Sequence, residues 1–342
     1  MKSVSSKHIV LFLASALVLG LGLPALGKTI DSEELRAVEA VAAHSVGAET
    51  QILSNMANEK TDPLNSVAIS MKSKTSQIDI PWDPKSPIMA VTAHAKKLAL
   101  RLPFDSSAHV AKEISPGVLS FGNQNGSSSL SVVKADGSLQ MATVITSASA
   151  PRNYRYSFEL QGGWQMIENE NGSVAIFDDN GVWAAGVAPA WAKDAVGRDV
   201  QTSYEVIGSD LIQNVNLDDP AIQYPVVADP WLGFDLIDHD SWIYTWAYSP
   251  TLAVYPTIWG RTVTPLANGA AWDETLSKVY PLPRVNPDTP TMQVQFDCHF
   301  QAVRVREPNK TSWDLDVRLP WTDFATEVRY GCNYYPGATP QF

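Results

Sequence analysis

In the stretch QFDCHFQ, residues 295–301, Cys298 stands directly before His299. A thiol beside an imidazole is the raw material of a thiolate nucleophile and of a transition-metal site. Asp297 precedes the pair, and Arg304 and Arg306 follow it in VRVR. Histidine titrates near neutrality and a carboxylate neighbour can orient its ring, so His299 and Asp297 are candidates for acid-base catalysis. The two arginines are candidates for holding an anion or a carboxylate. Pairing with Asp314 or Asp316 is the plainer account of them.

These roles depend on the element that carries the residues. MQVQFDCHFQAVRVRE alternates apolar and polar residues, which predicts a strand pair. Neighbours on a strand point to opposite faces, so Cys298 and His299 cannot form a dyad there. Phe296 and Cys298 then face inward. Asp297, His299 and Gln301 form an outward polar stripe, either a site or a solvated face, and Arg304 and Arg306 share a face.

Other chemistry is sparser. In SWIYTWAY, period two places Trp242, Tyr244, Trp246 and Tyr248 on one face, as a sugar-stacking platform or as packing between domains. Asp238, His239 and Asp240 offer ligand atoms, but three adjacent residues cannot all turn to one metal, and a surface turn is the simpler reading. Two cysteines and scattered histidines do not match zinc spacing, so no metal or other cofactor is expected. The chain contains no Gly-x-Ser-x-Gly elbow, phosphate loop or His-Glu-x-x-His motif.

The chain of 342 residues has a net charge of -11. Residues 104–231 carry 6 basic against 15 acidic groups, and no portion has the basic excess that phosphate binding demands. A general nucleic-acid surface is therefore not expected. Lys2 and Lys7 precede an apolar run from Ile9 to Leu23, then Pro24 and Ala25-Leu26-Gly27. This pattern reads as a cleaved secretory signal over residues 1–27, too short to span a bilayer. No later segment is apolar enough to do so, and the expected location is secreted, extracellular or at the cell surface.

Residues 28–103 read as a helical segment and a linker. Leu35, Val38, Ala42 and Val46 recur at helical spacing, Asp31 with Glu34 fits a capping arrangement, and Gly47 marks a break. The polar, proline-punctuated residues 59–87 are the expected linker. Residues 104–231 read as an all-β module of consecutive hairpins, with YRYSFEL placing Tyr154, Tyr156, Phe158 and Leu160 on one face. Pro225 and Pro230 bracket its last strand. Residues 232–342 hold both cysteines and a helix in NGAAWDETLSKV, with Asn268 as its cap and Ala271, Trp272, Leu276 and Val279 along one side. The predicted fold class is α+β, mainly β, ending in an antiparallel sheet with one helix and a disulfide.

LAVYPTIWGR, AWDET, MQVQFDCHF, KTSWDLDVRLPW and YGCNYYP stand in an order and spacing that resembles domain of unknown function 2599 (DUF2599), found in secreted actinobacterial proteins. The resemblance covers about residues 235–337. The preceding piece, with APAWAKDAVGRDVQTSYEVIG and YPVVADPW, looks like a β module that precedes varied C-terminal domains in such proteins. The resemblance implies an extracellular protein with paired cysteines and no established reaction. Its motifs also carry Arg261 and Trp272, which join Trp242 and Trp246 as binding candidates. The chain departs from the pattern at Arg318-Leu319-Pro320 and at Cys332-Asn333-Tyr334-Tyr335-Pro336, where the family runs shorter.

An exported chain with two cysteines in one domain is expected to oxidise them. A Cys298–Cys332 bond would contribute roughly 3.5–4 kcal/mol on the chain-entropy estimate. A free reactive thiol and a metal-bound thiolate are the alternatives. The leading functional expectation is a non-enzymatic binding or envelope-associated module, whose partner is a cell-envelope polymer or an extracellular protein. The alternatives are a secreted effector or hydrolase with its catalysis in the C-terminal domain, and a purely structural envelope protein.

Overall fold

The computed structural model describes residues 32–45, 47, 50–73, 76–92, 96–244 and 249–341. The leader read at residues 1–27 lies outside them, as do Trp246 and Tyr248. Helix α1, Glu33–His44, begins at Ser32, whose hydroxyl accepts the Leu35 amide at 3.1 Å. Ser32 is thus the cap, and the Glu34 carboxylate instead accepts the hydroxyls of Ser120 and Ser128 on the sheet below. The helix stops before Gly47, where a break was expected.

The expected linker is folded. Residues 59–87 contain the strands Val67–Lys72 and Ser76–Pro81, because Ile69, Met71, Ile78 and Ile80 alternate with polar residues and are buried. The prolines that suggested a linker fall in the connections or at a strand end. These strands open a seven-stranded antiparallel sheet that continues through Ile88–Thr92, Lys97–Arg101, Asn153–Phe158, Asp210–Val215 and Thr202–Ile207.

A second, ten-stranded sheet runs in the order Gln165–Glu168, Val174–Phe177, Trp183–Val187, Trp231–Gly233, Leu139–Ile145, Ser127–Val133, Val118–Gly122 and Lys112–Ser115. Val226–Asp229 also pairs with Leu139–Ile145 and carries Trp191–Lys193 on its other side. The hairpins expected around Asp136-Gly137 and Asp179-Asn180-Gly181 are present. Asn153–Phe158 does not pair with the strand after Gly162-Gly163, but crosses to the seven-stranded sheet. Its alternation holds there, with Tyr154, Tyr156 and Phe158 buried.

The two sheets enclose one core, so residues 67–233 form a β-sandwich. The outer face of the larger sheet is covered too. Ala37, Val38 and Val41 of α1 pack on Val118, Leu130, Val132, Ala142 and Val144. All seven residues of Leu139–Ile145 are consequently buried.

The C-terminal portion places Ile237–Tyr244, Pro250–Pro256 and Trp313–Asp316 in an antiparallel sheet. Among the described residues five α-helices accompany it: α2 Ile258–Thr262, α3 Asn268–Lys278, α4 Pro290–Cys298, α5 Arg304–Arg306 and α6 Phe324–Arg329. The stretch expected as a strand pair is helical. Thr289 caps α4 by accepting the Met292 amide at 3.2 Å, Pro290 takes the first turn, and His299–Val303 continues as a π-helical run into α5. Met292, Gln295, Phe296, His299, Phe300 and Val303 are all buried, which is helical spacing. Helix α3 is where the sequence placed it, although Asn268 is its first residue and not its cap; its side-chain amide donates to the Asp297 carboxylate at 2.7 Å.

Cys298 and Cys332 are bonded, with their Cα atoms 5.4 Å apart. The bond ties the end of α4 to the residue that follows Gly331, below α6. The C-terminal sheet and helices also share a core with the sandwich, in which Phe177 and Trp183 meet Leu236, Trp259 and Phe296. Trp259 makes a close approach across this core. Its indole lies over Gly233, where an added Cβ would collide with the ring, and against Gly186, the cross-strand partner of Gly233. Trp231 meets the same indole edge-on at 5.1 Å, and the Trp183 indole donates to the Phe234 carbonyl at 2.7 Å.

Candidate functional site

Beside this joint the sandwich and the C-terminal portion leave a cleft of about 1060 Å3. Lys72 and the Asp136-Gly137 turn form one wall, and Asp235, Asp238, His239, Asp240 and Lys278 form the other. The sequence favoured a surface turn for Asp238–Asp240. These residues instead lie in the strand Ile237–Tyr244, whose pairing is irregular at Asp238, between Ile237 and His239.

Helix α3 braces the charged wall from behind. Glu274, 8% exposed, accepts the amides of Leu236 at 2.8 Å and Ile237 at 3.1 Å, and so fixes the chain as it leaves the sandwich. One turn on, Lys278 donates to Glu274 at 2.7 Å, to Asp235 at 3.0 Å and to the Ile237 carbonyl. Burial pushes the Glu274 carboxyl up, against the pull of Lys278. Burial opposes the charge on Lys278, but Glu274 and Asp235 together hold its pKa above the ordinary value.

Asp240 differs from its neighbours. Neither of its carboxyl oxygens has a hydrogen-bond partner, although both are buried. Burial pushes this carboxyl up to about 7, against Lys278 and with the help of the Glu274 charge. Near neutrality it can therefore present a donor and an acceptor together, or exchange a proton with a ligand. The His239 ring stacks on Tyr255 with centroids 4.2 Å apart, and its Nδ1 lies 2.8 Å from the Asp238 carboxylate.

Of the residues that the sequence considered for chemistry, Asp238, His239 and Asp240 line this cleft, whereas His299, Asp297, Arg304, Arg306, Arg261, Trp242 and Trp272 do not. His299 was expected on an outward stripe and is 0% exposed, because it sits on the inner side of a helix. Its Nδ1 bonds the Gln295 carbonyl at 2.9 Å, and burial pushes it down to about 3, so the ring is neutral. Asp297 is half-buried against Asn268, and burial raises its pKa.

Arg304 and Arg306 do not share a strand face. Arg304 is buried, donates to the carbonyls of Gly260 at 3.2 Å and Val263 at 2.5 Å, and stacks over Phe300. Burial lowers its pKa to about 10. Arg306 is exposed at the helix end. Arg261 donates to the carbonyls of Pro308, Lys310 and Thr311 and so anchors that loop. Trp272 is in the core, and half-buried Trp242 donates to the Tyr280 carbonyl at 2.8 Å. Among the described residues no group of three or more His, Cys, Asp or Glu could hold a metal ion.

Sequence reasoning considered Asp240 only as part of a surface turn and missed Glu274 and Lys278. The available signal was Glu274 four residues before Lys278 on a predicted helix, a spacing that pairs charges. Nothing local showed that the pair would be buried against a strand.

The sequence profile of the family described as "Protein of unknown function (DUF2599)" matches residues 237–335. A stretch of 103 residues is 38% identical to an uncharacterized protein of Mycobacterium tuberculosis, covering 30% of this chain and 67% of that protein. An uncharacterized protein of Mycobacterium bovis matches to the same extent. Asp238, His239, Asp240, Glu274 and Lys278 fall within the family segment, whereas Lys72 and Asp136 come from the sandwich.

Proposed function

Because the chain belongs to the DUF2599 family of proteins of unknown function, we propose that it acts as an exported, non-enzymatic binding protein that takes its ligand in the cleft between sandwich and family domain. The observation that carries this reading is the cleft itself, whose two walls come from different parts of the chain. Ligand sites favour such junctions.

Export to the cell surface or medium is supported by the charged and apolar leader pattern. A buried disulfide belongs with an oxidising compartment and supports it further. Carboxylates outnumber amines in the cleft and the net charge is -11, which favours a neutral or cationic ligand over a polyanion. A cell-envelope polymer or an extracellular protein fits this description.

The test is co-sedimentation of the purified mature chain with isolated cell envelope, alongside capture of extracellular proteins. Retention that Asp240→Asn and Asp136→Ala weaken supports the proposal. Absence of retention in both assays contradicts it.

A second reading, a hydrolase of the envelope, is favoured by one observation, the unpartnered Asp240 carboxyl at the cleft wall, which burial pushes up to about 7. The acid-base group would then be Asp240 in place of His299. Release of soluble fragments from envelope by the wild type, abolished in Asp240→Asn, would replace the binding reading with this one.

A further inference from the structure

A second pocket, of about 510 Å3, lies wholly within the family domain and shares no lining residue with the cleft. Its polar groups are fixed by one another. Asn333 donates to Asp316 Oδ2 at 2.9 Å and to the Asp314 carbonyl at 3.0 Å, and the Thr251 hydroxyl donates to Asp316 Oδ1. Gln295 clamps the Asp316 backbone from below, accepting its amide at 2.8 Å and donating to its carbonyl at 3.1 Å.

One lining group is left over. Ser249 is 8% exposed, and its buried hydroxyl has no hydrogen-bond partner. Leaving such a group unpaired costs about 1–3 kcal/mol, so a native structure that keeps one at a pocket wall is set up for a partner. On the rim, Arg318 is exposed and Tyr335 is 52% exposed.

The chemistry of the lining narrows the partner. Two carboxylates repel phosphate, and no grouping suits a metal ion. A peptide would be expected to add to the sheet edge at Trp313–Asp316, but Gln295 and Asn333 already occupy the amide and carbonyls there. What remains is a ligand whose groups donate and accept at once, to match a lining that offers a hydroxyl, carboxylates and a guanidinium. It must also offer an apolar face to Tyr335 and Leu319.

We infer that the pocket bounded by Ser249, Asp314, Asp316, Arg318, Asn333 and Tyr335 binds a saccharide ring. Ring hydroxyls pair with Arg318 and the spare Ser249 hydroxyl, which the strand register brings to the same end of the pocket, and the ring's C–H face stacks on Tyr335. The inference stands apart from the cleft, so either can fail without the other.

The experiment is titration calorimetry of the mature chain with N-acetylglucosamine, N,N′-diacetylchitobiose, galactose and arabinose, with tetra-alanine as the peptide probe. At least one sugar should bind saturably. Ser249→Ala and Tyr335→Ala should each weaken it roughly three- to tenfold. Ser249→Ala separates function from folding, because removing an unpaired buried hydroxyl leaves the melting temperature unchanged or raises it. Saturable binding of none of the sugars, sugar binding indifferent to both substitutions, or saturation by tetra-alanine alone overturns the inference.

Discussion

The indole of Trp259 lies in the space that a side chain at Gly233 would occupy, and this contact seats the family domain on the sandwich. Gly233→Ala forces the ring out, an overpacking that costs about 1–3 kcal/mol. Trp259→Ala empties the seat and costs about 3–5 kcal/mol. Urea unfolding followed by tryptophan fluorescence should show a lower midpoint for both. An unchanged midpoint for Gly233→Ala would contradict the seating.

Asp240 should give stability a pH dependence. An unfolded aspartate titrates near 3.8 and the folded one at about 7, so the folded state holds the extra proton between these values. The contribution is complete below 3.8 and is lost as pH rises through 7. At about 1.4 kcal/mol per unit, the swing is on the order of 2–4 kcal/mol. Asp240→Asn should flatten the profile, gaining on the wild type as pH rises. Parallel profiles from denaturation across that range would show that the carboxyl is solvated.

Lys278 is the cation against which Glu274 and Asp235 are buried. Lys278→Met should cost about 3–5 kcal/mol at neutral pH, because it strands a buried carboxylate. The loss should shrink as the solution is acidified, since a protonated Glu274 needs no cation. Adding Glu274→Gln should recover part of the loss, and a double-mutant cycle reads the coupling directly. Additive effects would mean that the pair does not interact.

The His299 ring should stay neutral across the physiological range, since burial holds it at about 3. Its folded pKa lies below that of an unfolded histidine, so this group costs stability as pH falls below 6.5. Proton NMR, with the resonance assigned by its loss in His299→Gln, should show no titration between about pH 5 and 8. A midpoint near 6.5 would place the ring in solvent.

Much of the fold was legible because strands announce themselves by period two. Tyr154, Tyr156 and Phe158 were read correctly for that reason, and α3 was read from its apolar side. The failures have the same physics. MQVQFDCHF alternates by accident, and its helical stripe was hidden because Gln295 and His299 are polar members of a buried face. The cap Thr289 and the following Pro290 were the local signal that could have decided it. In residues 59–87 the prolines drew attention away from Ile69, Met71, Ile78 and Ile80. The cleft was invisible from sequence because its walls, Lys72 and Asp240, are brought together only by long-range packing.

The strand Trp231–Gly233 has a consequence for how such chains diversify. It lies between Trp183–Val187 and Leu139–Ile145, inside the larger sheet, even though it is the last piece of chain before the family domain. A genetic exchange that grafts a different C-terminal domain onto this sandwich must therefore cut after Gly233, or it removes an interior stave of the sheet. Even a clean cut there discards the indole that covers Gly233 and Gly186. Any successor domain inherits a bare Gly233, beside a Gly186 that Trp183 still covers, and must supply its own flat group there.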